Sequence, residues 1–322
     1  MTRVAILDDY AGLARTLPCW DRLRGRVSVE SFGGTLADET ALAARLAPYP
    51  VVVGIRERTR FTASLLARLP ALRLLALAGR HSGQVDVADA SARGVLVTDI
   101  DGTAPPAVEH TIGLILALVR RIPQDDRALR AGRWQTALGT ELARKTLGIV
   151  GLGKIGTRIA AFGALVGMRV VATGLTLTAE RAAAAGARLT DLDGLMRESD
   201  VVSVHLRLSD RTRGLITARH LALMKPTAFL VNTARGPIVD ETALVETLRA
   251  GRIAGAALDV FGTEPLPPAH PLLALDNVVL TPHTGFVTRE TFEVFFEQTV
   301  ASIAEWLDGK TPARAVNATA SS

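Results

Sequence analysis

Cysteine is nearly absent from this 322-residue chain, which contains one, Cys19. A single thiol cannot close an internal disulfide, and no partner stands beside it at metal-ligand spacing. This usage is typical of a reducing compartment, so we expect the protein to be cytoplasmic. Cys19 itself is predicted to be a small buried residue in preference to a nucleophile.

Long apolar runs are also absent, because charge or glycine interrupts each one before the ~18 residues of a membrane span. The chain enters a strand-like run at Val4 and then meets Asp8 and Asp9, which is untypical of a secretory signal. The net charge is +5, but the arginines are scattered and form no basic cluster. We therefore expect no membrane and no nucleic-acid partner.

Hydrophobic residues are plentiful, at 48% of the chain, and they occur in short runs that alternate with helix-like segments. A chain of this length exceeds one core, so two domains are expected. The alternation predicts parallel sheets and an α/β fold. The predicted strands of the first domain are Val4–Leu7, Val27–Glu30, Val51–Gly54, Leu74–Ala78 and Val95–Thr98. Those of the second follow a run from Leu147 and are Met168–Thr173, Asp200–Leu206, Phe229–Thr233, Ala254–Val260 and Val278–Leu280.

Two other stretches predict connections. Proline and glycine in 101–111 indicate a crossing between domains, followed by an apolar helix over Ile112–Arg121. The periodicity of Thr291–Leu307 predicts a helix that docks on the first domain. Alternatively, the aromatic stretch Phe292–Phe296 lines the substrate pocket. Residues 311–322 are expected to fray.

The central pattern is the apolar run from Leu147, which meets Gly151, Gly153 and Gly156 at G-x-G-x-x-G spacing. It predicts a strand, a tight turn and a helix N-terminus whose dipole and free amides bind a pyrophosphate. Lys154 and Ile155 lie inside this glycine motif and belong to the predicted site. The expected cofactor is NAD or NADP.

The strand after the glycine motif ends without the acid that ordinarily binds the adenosine ribose. Thr173 is followed by Gly174, and no acid occurs before Glu180. Without that carboxylate a 2′-phosphate is not rejected, and Thr176 or Arg181 is a candidate contact for it. Gly174 equally fits a simple turn in an NAD enzyme. The choice between NAD and NADP stays open.

Polar residues follow the later strands. Because the carboxyl ends of parallel strands meet at one edge of a sheet, these side chains are expected to share the site of the glycine motif. They are His205, Arg207, Thr233, Arg235, Asp259, Thr281 and His283, and Ala234 and Pro282 lie among them. In the first domain, Arg80 and His81 follow a strand in the same way and are candidate anion ligands, although a plain exposed loop is equally compatible.

The ordered set of motifs resembles the D-isomer-specific 2-hydroxyacid dehydrogenases. The matching stretches are the glycine motif, Glu109–Thr111, Val231–Asp240, Ala257–Phe261, Glu264-Pro265, Thr281–Gly285 and Asp308–Lys310. The resemblance implies two Rossmann-like parallel-sheet domains, one flavodoxin-like and one dinucleotide-binding, with a cleft between them. It also implies a substrate-binding domain of residues 1–100 and 288–322, a dinucleotide-binding domain of residues 101–287, and a homodimer.

The same resemblance makes Arg235, Glu264 and His283 catalytic, in hydride transfer between NAD or NADP and a small anionic 2-hydroxy or 2-keto acid. Imidazole suits proton transfer, a carboxylate can fix its tautomer, and the guanidinium fork suits a substrate carboxylate. Asp259 matches a position that contacts the nicotinamide or supports the site. His205, Thr233 and Ala234 match further cofactor-contacting positions. Gly174, which departs from the family pattern, and Gly285 complete the predicted cofactor residues.

Besides the missing acid at Gly174, one further departure and three alternatives accompany this hypothesis. Arg80 and His81 stand where many relatives have a small apolar residue and glycine, so a bulkier or more anionic substrate is expected unless these side chains point away. Glu264 argues against formate oxidation, for which related enzymes carry glutamine. A phosphite dehydrogenase and a nucleotide-sensing corepressor remain alternatives to the leading hypothesis, a reductase of 2-keto acids such as glyoxylate or hydroxypyruvate.

Overall fold

Short runs of valine, leucine and alanine form the strands of two parallel sheets, one in each of two structural units. The structure is a computed structural model that describes residues 1–81, 83–102 and 105–318. One unit comprises Met1–Thr103 and Val287–Ser322, and the other comprises Ala104–Phe286. Over the described ranges, no helix has the length and apolar character needed to cross a membrane.

The first unit is built on five strands, β1 (Thr2–Ile6), β2 (Val27–Ser31), β3 (Val51–Ile55), β4 (Leu74–Ala78) and β5 (Leu96–Thr98). Its helices are α1 (Glu39–Leu46), α2 (Ala63–Ala67), α3 (Val87–Ala92) and, from the end of the chain, α11 (Arg289–Leu307), with 3₁₀ turns at Ala14–Thr16 and Pro18–Leu23. The strand order β2-β1-β3-β4-β5 is flavodoxin-like, and every pair is parallel. β3 and β4 are buried along their whole length, as their unbroken apolar sequences require.

Helix α11 packs against β4 in the first unit. Phe292, Phe295 and Phe296 on this helix are buried, and the rings of Trp20 and Phe296 lie 6.2 Å apart. The prediction of a docking helix is confirmed. The alternative, in which Phe292–Phe296 line a substrate pocket, is wrong for these three rings because they are enclosed in the core of the unit.

The chain after α11 is held against β5 by backbone contacts. Val316 N–H donates to the Val97 carbonyl (2.7 Å), and Val97 N–H donates to Asn317 Oδ1 (2.8 Å). The expected fraying is therefore wrong for this part of the chain, because it satisfies polar groups at the sheet edge. Residues 319–322 lie outside the described ranges.

The second unit is built on seven strands, β6 (Thr146–Val150), β7 (Arg169–Thr173), β8 (Arg188–Leu189), β9 (Val201–Val204), β10 (Phe229–Asn232), β11 (Gly255–Leu258) and β12 (Val278–Leu280). Its helices are α4 (Pro105–Val119), α5 (Ile122–Arg130), α6 (Lys154–Leu165), α7 (Ala179–Ala184), α8 (Leu192–Glu198), α9 (Ala218–Ala222) and α10 (Glu241–Arg249), with 3₁₀ turns at Gly236–Ile238 and Pro271–Ala274. The order β12-β11-β10-β9-β6-β7-β8 is that of a dinucleotide-binding sheet extended by a seventh strand. The predicted α/β fold class is confirmed.

The boundary between the two units falls within 101–111, as predicted, but the helix expected from Ile112 begins earlier. Helix α4 begins at Pro105 and continues to Val119. Proline has no N–H to lose in the first turn of a helix, so Pro105 and Pro106 start the helix instead of preventing it. Residues 103 and 104 lie outside the described ranges.

The strands of the second sheet end level with one another. Paired residues at their carboxyl ends are Val150 with Thr173 and Val204, and Asn232 with Leu258, which in turn pairs with Leu280. The chain order reverses at β6, which lies between β7 and β9. Ligands of open α/β sheets bind beyond the strand ends at such a reversal.

Candidate active site

The glycine motif forms a tight turn between β6 and α6. Gly151 has φ +104°, which favours glycine, and its N–H donates to the Thr173 carbonyl (2.8 Å). A Cβ on Gly156 would meet the Gly151 oxygen at 2.2 Å, whereas a Cβ on Gly153 would meet no atom within 4 Å. The helix start thus packs closely on the turn while the space above Gly153 stays open, which fits a bound pyrophosphate.

A cavity of about 310 Å³ lies beside this turn. Its walls include Gly174, Thr176 and Arg181, and the Arg181 Nη1 donates to the Thr176 carbonyl (3.1 Å). Of the other predicted cofactor residues here, Lys154 is exposed at the start of α6 and Ile155 packs partly against the core. The residues present therefore fit the adenosine half of a dinucleotide.

His205 follows β9 and also lines this cavity. Its Nε2 lies 2.8 Å from the Ser203 hydroxyl oxygen. Burial lowers the pKa of His205 to about 4. The imidazole is therefore neutral at physiological pH and offers polar contacts without charge.

Arg235 lies in a turn after β10 that the buried side chain of Asn232 organises. Asn232 Oδ1 accepts the Ala234 N–H (3.0 Å), and Asn232 Nδ2 donates to the Arg235 carbonyl (3.0 Å). The Arg235 guanidinium Nη1 donates to the Ala234 carbonyl (2.6 Å). Thr233 in the same turn is anchored to α4, since its hydroxyl lies 2.8 Å from that of Thr111.

Gly236 brings the Arg235 turn against the loop after β11. A Cβ on Gly236 would lie 2.0 Å from the Phe261 carbonyl carbon, so only glycine allows this approach. The same Phe261 donates its N–H to Glu264 Oε1 (2.9 Å). The Arg235 turn and the Glu264 loop are therefore in direct backbone contact.

Glu264 and His283 form the closest acid–imidazole contact of the site. Glu264 Oε2 lies 2.6 Å from His283 Nδ1, and both side chains are partly buried. The His283 backbone has φ +53°, a conformation that is uncommon for any residue with a Cβ. Its ring also meets that of Phe286 edge-on at 5.8 Å.

Asp259 holds the segment that carries His283. Its carboxylate, which is 1% exposed, accepts the Thr281 hydroxyl (2.6 Å) and the N–H groups of Thr284 (2.8 Å) and Gly285 (2.9 Å). His110 Nε2 lies 3.1 Å from the same carboxylate. Burial raises the pKa of Asp259, but hydrogen bonds from His110, Thr281 and Thr284 outweigh it, so the pKa is below its usual value.

Gly285 is required by this contact, because a Cβ there would lie 2.9 Å from Asp259 Oδ2. The Asp259 carboxylate has four polar partners, and these hydrogen bonds stabilise its negatively charged form. Within this unit, Asp259 therefore positions the turn of His283 through the two amides that follow it.

Arg80 and His81 belong to the first unit, after β4. Arg80 is exposed and His81 is partly buried. The His81 N–H donates to Asp99 Oδ2 (3.0 Å), so this amide is already occupied by a carboxylate. The side chains of Arg80 and His81 therefore stay the candidate anion ligands of this turn.

Several residues of the site are not predicted by the sequence patterns. Asn232 and Ser203 lie within apolar strands, and His110 lies in a recognised motif without an assigned role. A polar residue in an otherwise apolar strand indicates a structural or functional role, because a buried polar group needs a hydrogen-bond partner. Their partners are far apart in sequence, however, and spacing alone cannot supply them.

Comparison with known proteins identifies the family. A family model described as the NAD binding domain of D-isomer specific 2-hydroxyacid dehydrogenases matches residues 112–285. A glyoxylate reductase from Aeropyrum pernix is 43% identical over 268 residues, which cover 80% of this chain and 80% of that protein.

Solved structures agree with this match. A phosphoglycerate oxidoreductase from Vibrio cholerae has a TM-score of 0.92 at 39% identity, covering 96% of this chain and 100% of that chain. A D-lactate dehydrogenase from Aquifex aeolicus, solved with NAD and lactic acid, has a TM-score of 0.78 at 27% identity, covering 98% of this chain and 100% of that chain.

The chain belongs to the D-isomer specific 2-hydroxyacid dehydrogenase family. It is an oxidoreductase that acts on a CH–OH group with NAD or NADP as its cofactor.

Proposed function

We propose that this enzyme interconverts a small D-2-hydroxy acid and its 2-keto acid, with His283 and Glu264 as the acid/base pair and Arg235 as the substrate-carboxylate ligand. The observation that carries the proposal is the 2.6 Å contact between Glu264 and His283 Nδ1. Because Glu264 engages Nδ1, the other ring nitrogen, Nε2, is the one that exchanges a proton with the C2 oxygen.

Glu264 acts on His283 in two ways. A carboxylate at Nδ1 fixes the imidazole tautomer, and it stabilises the positively charged ring that must give a proton during reduction. Arg235 stays charged throughout and polarises the carbonyl while holding the carboxylate. Asp259 is a positioning residue, since it reaches His283 through the amides of Thr284 and Gly285.

When bound, the nicotinamide supplies or accepts the hydride at C2. We assign its binding to residues 101–287, the proposed dinucleotide-binding domain. The cofactor residues we propose are Gly151, Gly153, Lys154, Ile155, Gly156, Gly174, His205, Thr233, Ala234, Asp259 and Gly285. Residues 1–100 and 288–322 form the proposed substrate-binding domain, in which the side chains of Arg80 and His81 face the substrate.

We also propose a homodimer. Segment 131–145, between α5 and β6, exposes large apolar side chains of the second unit, with Trp134 77% and Leu138 95% exposed. Burying large apolar side chains in an interface with a second copy of the chain would remove them from water and stabilise a dimer. The buried, unbridged Cys19 suits a cytoplasmic enzyme.

A substrate panel tests the proposal. NADH and NADPH absorbance would be followed with glyoxylate, hydroxypyruvate and larger 2-keto acids, and we expect at least one keto acid to be reduced. Nucleotide binding would be measured in parallel by fluorescence. Tight nucleotide binding with no reduction of any keto acid would contradict the proposal and favour a nucleotide-sensing role. Oxidation of phosphite, included as a separate assay, would favour the phosphite dehydrogenase alternative.

A further inference from the structure

The cavity beside the glycine motif is unusually rich in arginine. It lies where β6, β7 and β9 end level, and its walls include Arg181, Arg207 and Arg211. Along the described residues that line it, no side chain is acidic. Three guanidinium groups around one cavity create a local positive potential that favours an anion.

The β7 side of this cavity lacks the group that ordinarily selects NAD. A carboxylate at the end of the second strand accepts the ribose hydroxyls and repels a 2′-phosphate. Here Thr173 leads into the turn Gly174–Leu177, closed by a hydrogen bond from Leu177 N–H to the Gly174 carbonyl (3.3 Å). Arg181 donates across this turn to Thr176, so a cation borders the position where the acid would stand.

The β9 side presents the other two arginines from a fixed turn. The buried Thr212 hydroxyl donates to the Arg207 carbonyl (2.6 Å) and accepts the Ser209 N–H (2.8 Å). This closes the loop between Arg207 and Thr212 and sets where both arginines leave the backbone. Over the described residues neither Arg207 nor Arg211 forms an ion pair, so both guanidinium groups are available to a ligand.

We propose, resting on the dehydrogenase function above, that the cofactor is NADP and that Arg207 and Arg211, with Arg181, bind its 2′-phosphate. A phosphomonoester carries about −1.5 to −2 charge at pH 7 and three acceptor oxygens, which suit guanidinium forks. NAD has only a neutral hydroxyl at that position and gives these arginines no partner.

Two adenosine nucleotides isolate the proposed contact. Adenosine 2′,5′-bisphosphate and 5′-AMP differ only in the 2′-phosphate, so their dissociation constants would be compared by calorimetry on the whole protein. We expect the bisphosphate to bind at least about tenfold more tightly, as charge-assisted hydrogen bonds would give. The difference should shrink as salt is raised, because exposed charges are screened. Equal affinity for the two nucleotides would overturn the proposal.

Single variants assign the contact to residues. Arg207→Ala and Arg211→Ala should each reduce the preference for the bisphosphate and leave 5′-AMP affinity unchanged. Arg213→Ala is the matched control, since this exposed arginine is two residues further along and does not line the cavity. An equal loss of affinity for both nucleotides would mean that the arginines contact the adenine or the 5′-phosphate, and would overturn the assignment.

Turnover gives an independent readout. The wild-type ratio of kcat/KM for NADPH over NADH should exceed one, and Gly174→Asp should lower it by restoring a carboxylate at the end of β7. An unchanged ratio in this variant would contradict the role given to that position. Because the nucleotide comparison needs no substrate, a failure of the arginine proposal is distinguishable from a failure of the dehydrogenase proposal.

Discussion

His205 and His283 follow strands of the same sheet, yet their surroundings suit them to different roles. Burial keeps His205 neutral, with its pKa lowered to about 4. His283 instead has the Glu264 carboxylate 2.6 Å from Nδ1, which fixes the tautomer of the ring. This contact is the reason that proton exchange is proposed for His283 and not for His205.

We predict that His283→Gln abolishes most turnover and leaves cofactor binding intact. Loss of general acid–base catalysis should lower kcat by about 10²–10⁴-fold. The cofactor contacts proposed here lie mainly on β6, β7, β9 and β10, so the dissociation constant for NADPH should not change. Steady-state kinetics and nucleotide fluorescence measure the two quantities separately.

His270→Gln is the matched control for this variant. His270 Nε2 lies 3.3 Å from Glu241 Oε1, so it is another histidine–glutamate pair in the same unit. We expect it to keep normal kcat. If His283→Gln weakened nucleotide binding as much as it slowed turnover, His283 would be a structural residue and the proposed mechanism would fail.

At the scale of elements, the strand–turn–helix of β6 and α6 depends on glycines with different functions. Gly156 allows the helix to approach the Gly151 oxygen, whereas Gly153 faces open space. The first is a packing requirement of the folded protein, and the second is a requirement of ligand approach. The spacing of the motif predicts this division of roles between Gly153 and Gly156.

Alanine substitutions should separate them. We predict that Gly156→Ala lowers the free energy of unfolding by about 1–3 kcal/mol, because the new methyl group overlaps the Gly151 carbonyl. Gly153→Ala should leave unfolding unchanged and weaken NADPH binding. Urea unfolding and nucleotide titration of both variants give the comparison. Equal unfolding midpoints for the two variants would contradict the packing role of Gly156.

At the scale of the whole molecule, the proposed homodimer follows from apolar surface that the second unit leaves exposed. We predict that the double variant Trp134→Ser, Leu138→Ser weakens the dimer at least about tenfold, since buried tryptophans are frequent hot spots. Sedimentation equilibrium over a concentration series measures the dissociation constant. A monomeric wild-type protein at all concentrations would rule the dimer out.

Leu165→Ser provides the control for surface hydrophobicity. Leu165 is 84% exposed at the end of α6 and lies outside segment 131–145, which carries Trp134 and Leu138. It should leave the dimer unchanged. If it weakened association as much as the double variant, the interface would not be specific to Trp134 and Leu138.

The fold class, the strands and the glycine motif can all be predicted from the amino-acid sequence. These features depend on local patterns, namely apolar runs of strand length, alternation with helices, and glycines at a spacing that only a tight turn explains. The first residue of a helix is harder to predict, as α4 shows, because proline is frequent both in loops and at the start of helices. The family resemblance assigns the catalytic roles to Arg235, Glu264 and His283, and these roles stay predictions.

Tertiary structure alone decided which side chains meet. The Asp259 carboxylate joins His110, 149 residues away, and the Phe292–Phe296 rings enter a core instead of a pocket. Asp99 occupies the His81 amide, and Arg207 and Arg211 reach the same cavity as Arg181. The physical reason is that a buried polar or charged group is stabilised by its partners, and strand order sets those partners independently of sequence spacing.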